Sequence, residues 1–213
     1  MNIHECIDKW HSEDGVQFFW SMDVLGDSVC LDFGCGYGEY SIAFALANPG
    51  SKIYAIDKNR RMLKFVREKI EKYGVANIVL QHADGSLKMD FPNNFADIIL
   101  MYDLIHGNTQ DKMPIRFALF EEAKRVLKPG GILSIAPFEC GNLRDRNGKS
   151  RKYTHPKMIA EIEASGFQFN GSVDGAVHFD YYHSAYHWKK LNGDMPFDYL
   201  EKGPVLNFSN IKD

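Results

Sequence analysis

The sequence predicts an α/β protein in which a mostly parallel sheet lies between two layers of helices. Three observations favour this fold class. Short β-rich runs alternate with longer helical patterns, which is typical of β-α-β units. Two runs, 28–33 and 96–101, are largely apolar, as in strands that are covered on both faces. A glycine cluster directly follows the first run and favours a sharp turn from strand to helix.

The first half of the chain predicts three strands and two helices. The strands are expected at residues 28–33, 52–56 and 78–81. A first helix is expected at 39–48, where Pro49 and Gly50 end it. In a second helix, at 60–73, apolar residues recur on one face at helical spacing, and Gly74 is a suitable left-handed stop.

The second half predicts four more strands, at 96–101, 132–136, 167–173 and about 180–188. Helices are expected at 114–127 and from 156 to just before Gly166, and the polar stretch 139–153 is expected to be a loop. We expect residues 1–27 to form an N-terminal helical segment or a lid. Residues 28–190 would form the main domain and residues 191–213 a C-terminal tail, packed or disordered.

Composition narrows the class of function. The chain has 213 residues, a formal net charge of −3 and a pI of about 6.2, which argues against a nucleic-acid partner because phosphate binding usually needs a basic surplus. We find neither a signal peptide nor a membrane-crossing segment, so we expect a cytoplasmic protein without a membrane partner. The four cysteines form no C-x-x-C pair and are expected to be free thiols.

Three histidines near the end of the chain raise the question of a metal site. His183 and His187 lie four residues apart in a run that reads as a strand. On a strand they would share a face but lie about 13 Å apart, too far to bind one ion. We therefore treat them and His178 as structural, keep His183 as a minor pocket candidate, and expect no metal.

The glycine cluster carries the strongest functional signal. Gly34, Gly36 and Gly38 let the backbone turn from strand to helix and remove side chains that would block a ligand. The helix that begins near Glu39 points its free amide groups at that ligand. Two acids support a nucleoside site, because Asp57 ends the second strand and Asp84 follows the third, at the sheet edge where such proteins bind ligands.

Asp32 distinguishes between possible ligands. It places a negative charge two residues before the first glycine, where a dinucleotide would bring its pyrophosphate. The spacing also differs, since the turn reads G-x-G-x-G and Glu39 stands at the next position. S-adenosylmethionine (SAM), with its ammonium and sulfonium groups, suits this turn better. A nicotinamide-dependent oxidoreductase and a non-catalytic SAM-binding protein remain alternatives.

These segments resemble the class I SAM-dependent methyltransferases, in the broad subgroup that includes ubiquinone and menaquinone C-methyltransferases. The matching stretches occur in the family's order between residues 28 and 138: they are 31–38, 54–57, 82–84, 95–100 and 126–133. The resemblance implies a Rossmann-like, three-layer sandwich. Its seven-stranded sheet would have the order 3-2-1-4-5-7-6, with strand seven antiparallel.

The resemblance also assigns roles to residues. The turn would hold the methionine part of SAM, Asp57 the ribose and Asp84 the adenine. The aliphatic stem of Lys58 would pack against the adenine. The predicted cofactor-binding residues are Asp32, Gly34, Cys35, Gly36, Gly38, Asp57, Lys58, Asp84, Gly85 and Tyr102.

The methyl acceptor is expected to be a small molecule, with S-adenosylhomocysteine (SAH) as the other product. In-line transfer from a sulfonium can depend mainly on positioning, so a general base is not required. His106, after the fourth strand, is the candidate base because its usual pKa is near neutral, although the favoured alternative is a helix or loop histidine bonded to the backbone. Glu139 is a further pocket candidate. The basic stretch 144–152 could receive an anionic acceptor or be a solvated loop.

Overall fold

The computed structural model describes residues 3–24, 26–108, 113–138, 141–179 and 202–212. The strands are β1 (Val29–Phe33), β2 (Lys52–Asp57), β3 (Ile78–His82), β4 (Ala96–Tyr102), β5 (Leu127–Ala136), β6 (Asn142–Arg144), β7 (Ser150–Lys152), β8 (Phe167–Val177) and β9 (Lys202–Asn210). The helices are α1 (Ile3–Lys9), α2 (Gly15–Ser21), α3 (Glu39–Ala47), α4 (Arg60–Tyr73), α5 (Arg116–Val126) and α6 (His155–Glu163), with a π-helical turn (Trp10–Asp14) between α1 and α2.

Seven strands form one sheet in the order β3-β2-β1-β4-β5-β9-β8. The first five are parallel, whereas β9 runs antiparallel to both of its neighbours, β5 and β8. The fold class and the strand order expected from the sequence are confirmed. Because parallel strands end at the same edge, the residues that follow β1, β2 and β4 are brought together there.

The antiparallel strand comes from a part of the chain where the sequence pattern was weak. Residues 180–188, expected to form it, lie outside the described residues. The strand between β5 and β8 is β9, in the stretch expected to be a tail, so that expectation was wrong for residues 202–210. Its polar residues hid the pattern, yet Val205, Leu206 and Phe208 are buried. Asn210 is buried too, because its side-chain amide donates to the carbonyls of Lys124 and Leu127, both at 3.1 Å.

Two other boundaries differ from expectation. Strand β5 begins at Leu127, and the expected Pro129-Gly130-Gly131 turn lies within it, beside a register shift between Ala96 and Ile98 of β4. Part of the stretch expected to be a loop forms an antiparallel hairpin, because β6 and β7 pair within residues 142–152. The Pro-Gly-Gly sequence therefore lies in an irregular part of β5, and the polar residues between β6 and β7 form the turn of a hairpin.

Helix α2 and the π-helical turn pack on α3, and α2 also reaches β8. Gly15 allows this packing, because a Cβ atom there would lie within 2.9 Å of both the Trp10 carbonyl and the Ala43 side chain. Helix α3 is consequently buried on nearly all sides, and Phe19 and Phe44 are inaccessible to solvent. Within the described ranges, no helix combines the length and apolarity needed to cross a membrane.

Candidate active site

The edge where β1, β2 and β4 end carries two clefts on either side of the Phe33–Gly34 peptide. Both are open to solvent. The first has about 580 Å³ of free space, open solvent included, and its lining includes Asp32, Gly34, Gly36, Tyr102, Asp103, Phe138 and His178. The second has about 750 Å³ on the same measure, and its lining includes Phe33, Ile56, Asp84, Met89 and Phe91. An elongated ligand lying across the peptide would therefore reach both clefts.

The glycine turn forms one wall of the first cleft. Gly34 and Cys35 donate their backbone N–H groups to the Ile56 carbonyl, at 2.9 and 3.0 Å, which ties the turn to β2. Gly36 has a left-handed φ of +52°, and a Cβ atom there would meet nothing within 4 Å. Gly38, at φ +77°, differs because a Cβ atom would lie 2.7 Å from the Val66 side chain of α4. Gly36 thus exposes bare backbone to a ligand, whereas Gly38 lets α3 and α4 approach each other.

The structure fixes Asp57 against this turn. One of its carboxylate oxygens accepts from the Gly36 N–H at 2.9 Å, and the other accepts from the Asn59 N–H at 2.7 Å. Each oxygen keeps a second lone pair, so the carboxylate can still accept hydrogen bonds from a diol. The Asp57 carboxylate therefore lies beside Gly36 with acceptor capacity left for a ligand.

Asp84 lies at the second cleft and is exposed. Its carboxylate accepts from the Ser86 N–H at 2.8 Å, and this hydrogen bond lowers the pKa of Asp84 below its usual value. The apolar floor of the cleft, with a carboxylate at its rim, suits a flat base. Gly85 follows at φ +91°. Lys58 has an exposed side chain, and its carbonyl is 3.1 Å from the Nε2 of His82.

Asp32 lies deep in the first cleft and is 4% exposed. Burial raises the pKa of this carboxyl to about 7, although the Ser41 hydroxyl, which donates to it at 2.5 Å, opposes the rise. Asp32 is therefore not the permanent anion that the sequence suggested. An ammonium group that binds beside it would favour the carboxylate and remove the proton. Bare backbone, this buried acid and the Asp57 carboxylate together fit the amino-acid and ribose parts of SAM.

Tyr102 and Asp103 end β4 at the cleft. The Tyr102 hydroxyl and the Ser134 hydroxyl are 2.8 Å apart. The Tyr102 ring meets the Tyr40 ring edge-on, with ring centroids 4.4 Å apart. Asp103 follows at φ +53°, in the left-handed region that few residues other than glycine adopt. This turn directs its carboxylate toward two histidines. The Nε2 of His178 is 2.8 Å from one oxygen, and the Nδ1 of His106 is 3.4 Å from the other.

These contacts rank the histidines differently from the sequence analysis. His178 lines the cleft and stacks on Phe138, with ring centroids 5.0 Å apart and an interplanar angle of 11°. His106 touches Asp103 but is not among the residues that line the cleft. The sequence analysis treated His178 as structural and missed its place in the cleft, because it ended the strand at residue 173. In the structure, β8 continues through Gly175, at φ +106°, to Val177.

A buried polar network supports the turn from behind. Glu39 pairs with His11 and, at 2.5 Å, with Lys69, which also donates to the Tyr37 carbonyl at 3.1 Å. Burial alone would raise the pKa of Glu39, but Lys69 and His11 lower it to about 2. His11 is also 2.8 Å from the Tyr73 hydroxyl, so the network links the N-terminal segment to α3 and α4. The sequence analysis did not predict this network, because its members are far apart in the sequence.

The remaining candidates fall outside this arrangement. Glu139 and His183 lie outside the described residues, so their roles stay predictions. The basic stretch belongs to the β6–β7 hairpin, where Arg151 pairs with Asp145 at 3.0 Å and Arg146 lies over the Phe117 ring at 4.1 Å. Among the described residues, no group of three or more His, Cys, Asp or Glu side chains could hold a metal ion.

The fold and the site together define a class of protein that binds an amino-acid nucleoside at the carboxyl edge of a Rossmann-like sheet. The chain belongs to the methyltransferase domain family, whose profile matches residues 26–194. This match confirms the resemblance stated above, and SAM is the cofactor of the class.

Curated relatives share about a third of the matched residues. A demethylmenaquinone methyltransferase of Anoxybacillus flavithermus is 32% identical over 52% of this chain and 44% of its own length. A ribosomal RNA large subunit methyltransferase G of Vibrio vulnificus is 29% identical over 49% of this chain and 28% of its own. A 27-O-demethylrifamycin SV methyltransferase of Amycolatopsis mediterranei is 29% identical over 51% and 38%. The chain thus spans no more than about half the length of these relatives.

A solved structure supports the fold along nearly the whole chain. A SAM-dependent methyltransferase from Aquifex aeolicus superimposes with a TM-score of 0.62, at 20% identity, over 95% of this chain and 92% of its own. At that identity the likeness concerns the fold and not the substrate.

Proposed function

We propose that this protein transfers a methyl group from SAM to a small-molecule acceptor. The observation that carries the proposal is that Asp32 and Gly36 line one cleft, and that the Asp57 carboxylate accepts a hydrogen bond from the N–H of Gly36 at 2.9 Å. A buried acid, open backbone and a second carboxylate are the groups that an ammonium, a carboxylate and a ribose would need.

The chain's own residues would bind and orient both reactants. The Gly34–Gly36 backbone and Asp32 would hold the amino-acid part, Asp57 the ribose, and the second cleft, with Asp84 at its rim, the base. SAM supplies a methyl group on a sulfonium, which is already a good leaving group. The first cleft then contributes by holding the acceptor near that methyl group, since orientation alone can supply much of the rate.

Two relatives, the net charge and the pairing of basic residues together favour a small molecule as the acceptor. The relatives named for demethylmenaquinone and demethylrifamycin support it, whereas the relative named for ribosomal RNA points to a nucleic acid. A formal net charge of −3 disfavours RNA, because phosphate binding needs cations. Two basic residues of the β6–β7 hairpin are also already occupied, Arg151 by Asp145 and Arg144 by the Gly148 carbonyl.

Calorimetry tests the cofactor. SAM and SAH are expected to bind and NAD to fail, because a pyrophosphate would lie against the buried Asp32. An exposed acid on α4, Glu68, offers a control, and Glu68→Gln should bind SAH as the wild type does. Tight binding of NAD without SAM would instead support the oxidoreductase alternative.

Methyl transfer from radiolabelled SAM to a cell extract tests the acceptor class. After separation into small molecules, protein and RNA, the label is expected in the small-molecule fraction. Label in RNA would replace this proposal with an RNA methyltransferase. SAM binding without transfer to any fraction would indicate a protein that kept the site but not the reaction.

A further inference from the structure

Asp103 and His178 form a hydrogen-bonded pair that lines the first cleft. The Nε2 of His178 lies 2.8 Å from a carboxylate oxygen of Asp103, and both residues line the cleft that Gly34 and Gly36 border. Because a carboxylate only accepts hydrogen bonds, Nε2 must carry the proton of this bond. The lone pair of a neutral His178 is therefore on Nδ1, which is the tautomer that a general base requires.

The ring of His178 is held in place from two directions. Its side chain is 10% exposed and stacks on Phe138, with ring centroids 5.0 Å apart. The preceding residue, Val177, is clamped by the Tyr40 hydroxyl, which donates to its carbonyl and accepts from its N–H, both at 2.8 Å. Tyr40 lies in the first turn of α3, two residues after Gly38. The start of α3 therefore holds the glycine turn on one side and, through Tyr40 and Val177, the position of His178 on the other.

His82 lies in a different environment and serves as a comparison for His178. Its Nε2 lies 3.1 Å from the Lys58 carbonyl, and the residue is exposed. His178 instead combines burial, a carboxylate partner, a stacked ring and a position in the cleft. Its partner Asp103 follows directly after β4, at a left-handed φ of +53°.

We propose, on the basis of the proposed function, that His178 is the general base and Asp103 its positioning residue, and that the acceptor is a weakly acidic hydroxyl compound such as a phenol or enol. The acceptor's O–H proton moves to Nδ1 of His178, and the electron pair of that bond forms the new bond from oxygen to the methyl carbon. The broken C–S bond leaves its pair on sulfur. The Asp103 carboxylate stabilises the imidazolium, whose proton then passes to solvent.

A coloured phenol tests the base without turnover. With SAH saturating, 4-nitrophenol is added at a pH below the pKa of the free phenol, and its phenolate absorbance is recorded. The wild type is expected to ionise the bound phenol, and His178→Gln to lose the signal while binding SAH with an unchanged Kd. His155→Gln, an exposed histidine at the start of α6, should keep the signal.

Three results would overturn the inference. They are retention of the phenolate signal in His178→Gln, its loss in His106→Gln instead, and its absence from a wild type that binds SAH. The last of these leaves the proposed function standing. Failure of the wild type to bind SAH would remove the proposed function itself, and the inference with it.

Histidine NMR separates positioning from mere packing. The Asp103→Asn variant is expected to lower the pKa of the His178 imidazole, because a carboxylate favours the charged ring. A pH profile of activity would not assign the group, since Asp32 in the same cleft titrates near pH 7 and Tyr40, Tyr102 and Cys35 also face it. With a phenolic acceptor, His178→Gln should lower kcat by about 10²–10⁴-fold. An unchanged imidazole pKa in Asp103→Asn would remove Asp103 from the proposal.

Discussion

The two sides of the proposed active-site cleft, one for the cofactor and one for the acceptor, are built differently. The cofactor side comes from the short stretch between β1 and the end of β2, where backbone groups hold one another: Gly34 and Cys35 bond the Ile56 carbonyl, and Asp57 bonds Gly36. The acceptor side is assembled by Asp103, Phe138 and His178, which follow β4, β5 and β8. It is therefore held by side chains that meet only after the sheet has formed.

This difference suggests which variants will affect which property. Changes on the cofactor side should alter SAM affinity or the folding of the turn, and changes on the acceptor side should alter turnover with SAH affinity preserved. The following predictions either sharpen that division or break it.

The largest expected effect on stability comes from the network behind the glycine turn. Glu39→Gln removes the charge that pairs with His11 and Lys69 and should lower the free energy of unfolding by about 3 kcal/mol, as in other broken buried ion pairs. Glu13→Gln is the matched control, because its pair with Lys9 is exposed, and should change stability by less than about 0.5 kcal/mol. Urea denaturation measures both.

The same network has a defined pH dependence. The pKa of Glu39 is about 2 in the folded protein against 4.5 when unperturbed, so its stabilisation is complete above about pH 4.5 and is lost as the pH falls toward 2. The difference in stability between wild type and Glu39→Gln should shrink over that range. A constant difference would mean that shape, not charge, stabilises the site.

Substitutions at two glycines of the same turn should affect different properties. Gly38→Ala forces a Cβ atom to 2.7 Å from Val66 at a left-handed φ, and should destabilise the fold by about 2 kcal/mol or more. Gly36→Ala meets no atom within 4 Å, so it should destabilise less but weaken SAH binding by placing a methyl group in the cleft. Thermal unfolding and calorimetry distinguish the two, and equal effects on stability would contradict the assignment.

These glycines also show what a sequence can reveal. The turn and Asp57 were predictable because their spacing is local and the backbone imposes it. Strand β9 was missed because its burial depends on neighbours from distant segments and its polar residues are satisfied only there. His178 was missed because Gly175 interrupts the pattern of β8, and Glu39 because its partner His11 comes from the N-terminal segment.

Asp57→Ala should have a smaller effect, confined to the cofactor side. Loss of charge-assisted hydrogen bonds to the ribose is expected to weaken SAH binding by about 1–3 kcal/mol, or about 5- to 150-fold. Asp57→Asn should lose less, because an amide oxygen can still accept. An unchanged Kd in the alanine variant would remove Asp57 from the site, and a selective loss of 4-nitrophenol ionisation would place it on the acceptor side.

The effect expected to be smallest at neutral pH is a pH dependence of cofactor affinity that comes from Asp32. Its pKa of about 7 in the free protein means that binding of an ammonium group must release a proton below that pH. SAH affinity, measured by calorimetry, should therefore rise with pH by up to about tenfold per unit until it levels off near pH 7. At higher pH the ligand's own amino group loses its charge, and the affinity should fall again. Asp32→Asn should abolish the rise, since an amide has no proton to release. If the rise persists in that variant, Asp32 does not face the ammonium, and the orientation assigned to the cofactor along the glycine turn must be reversed.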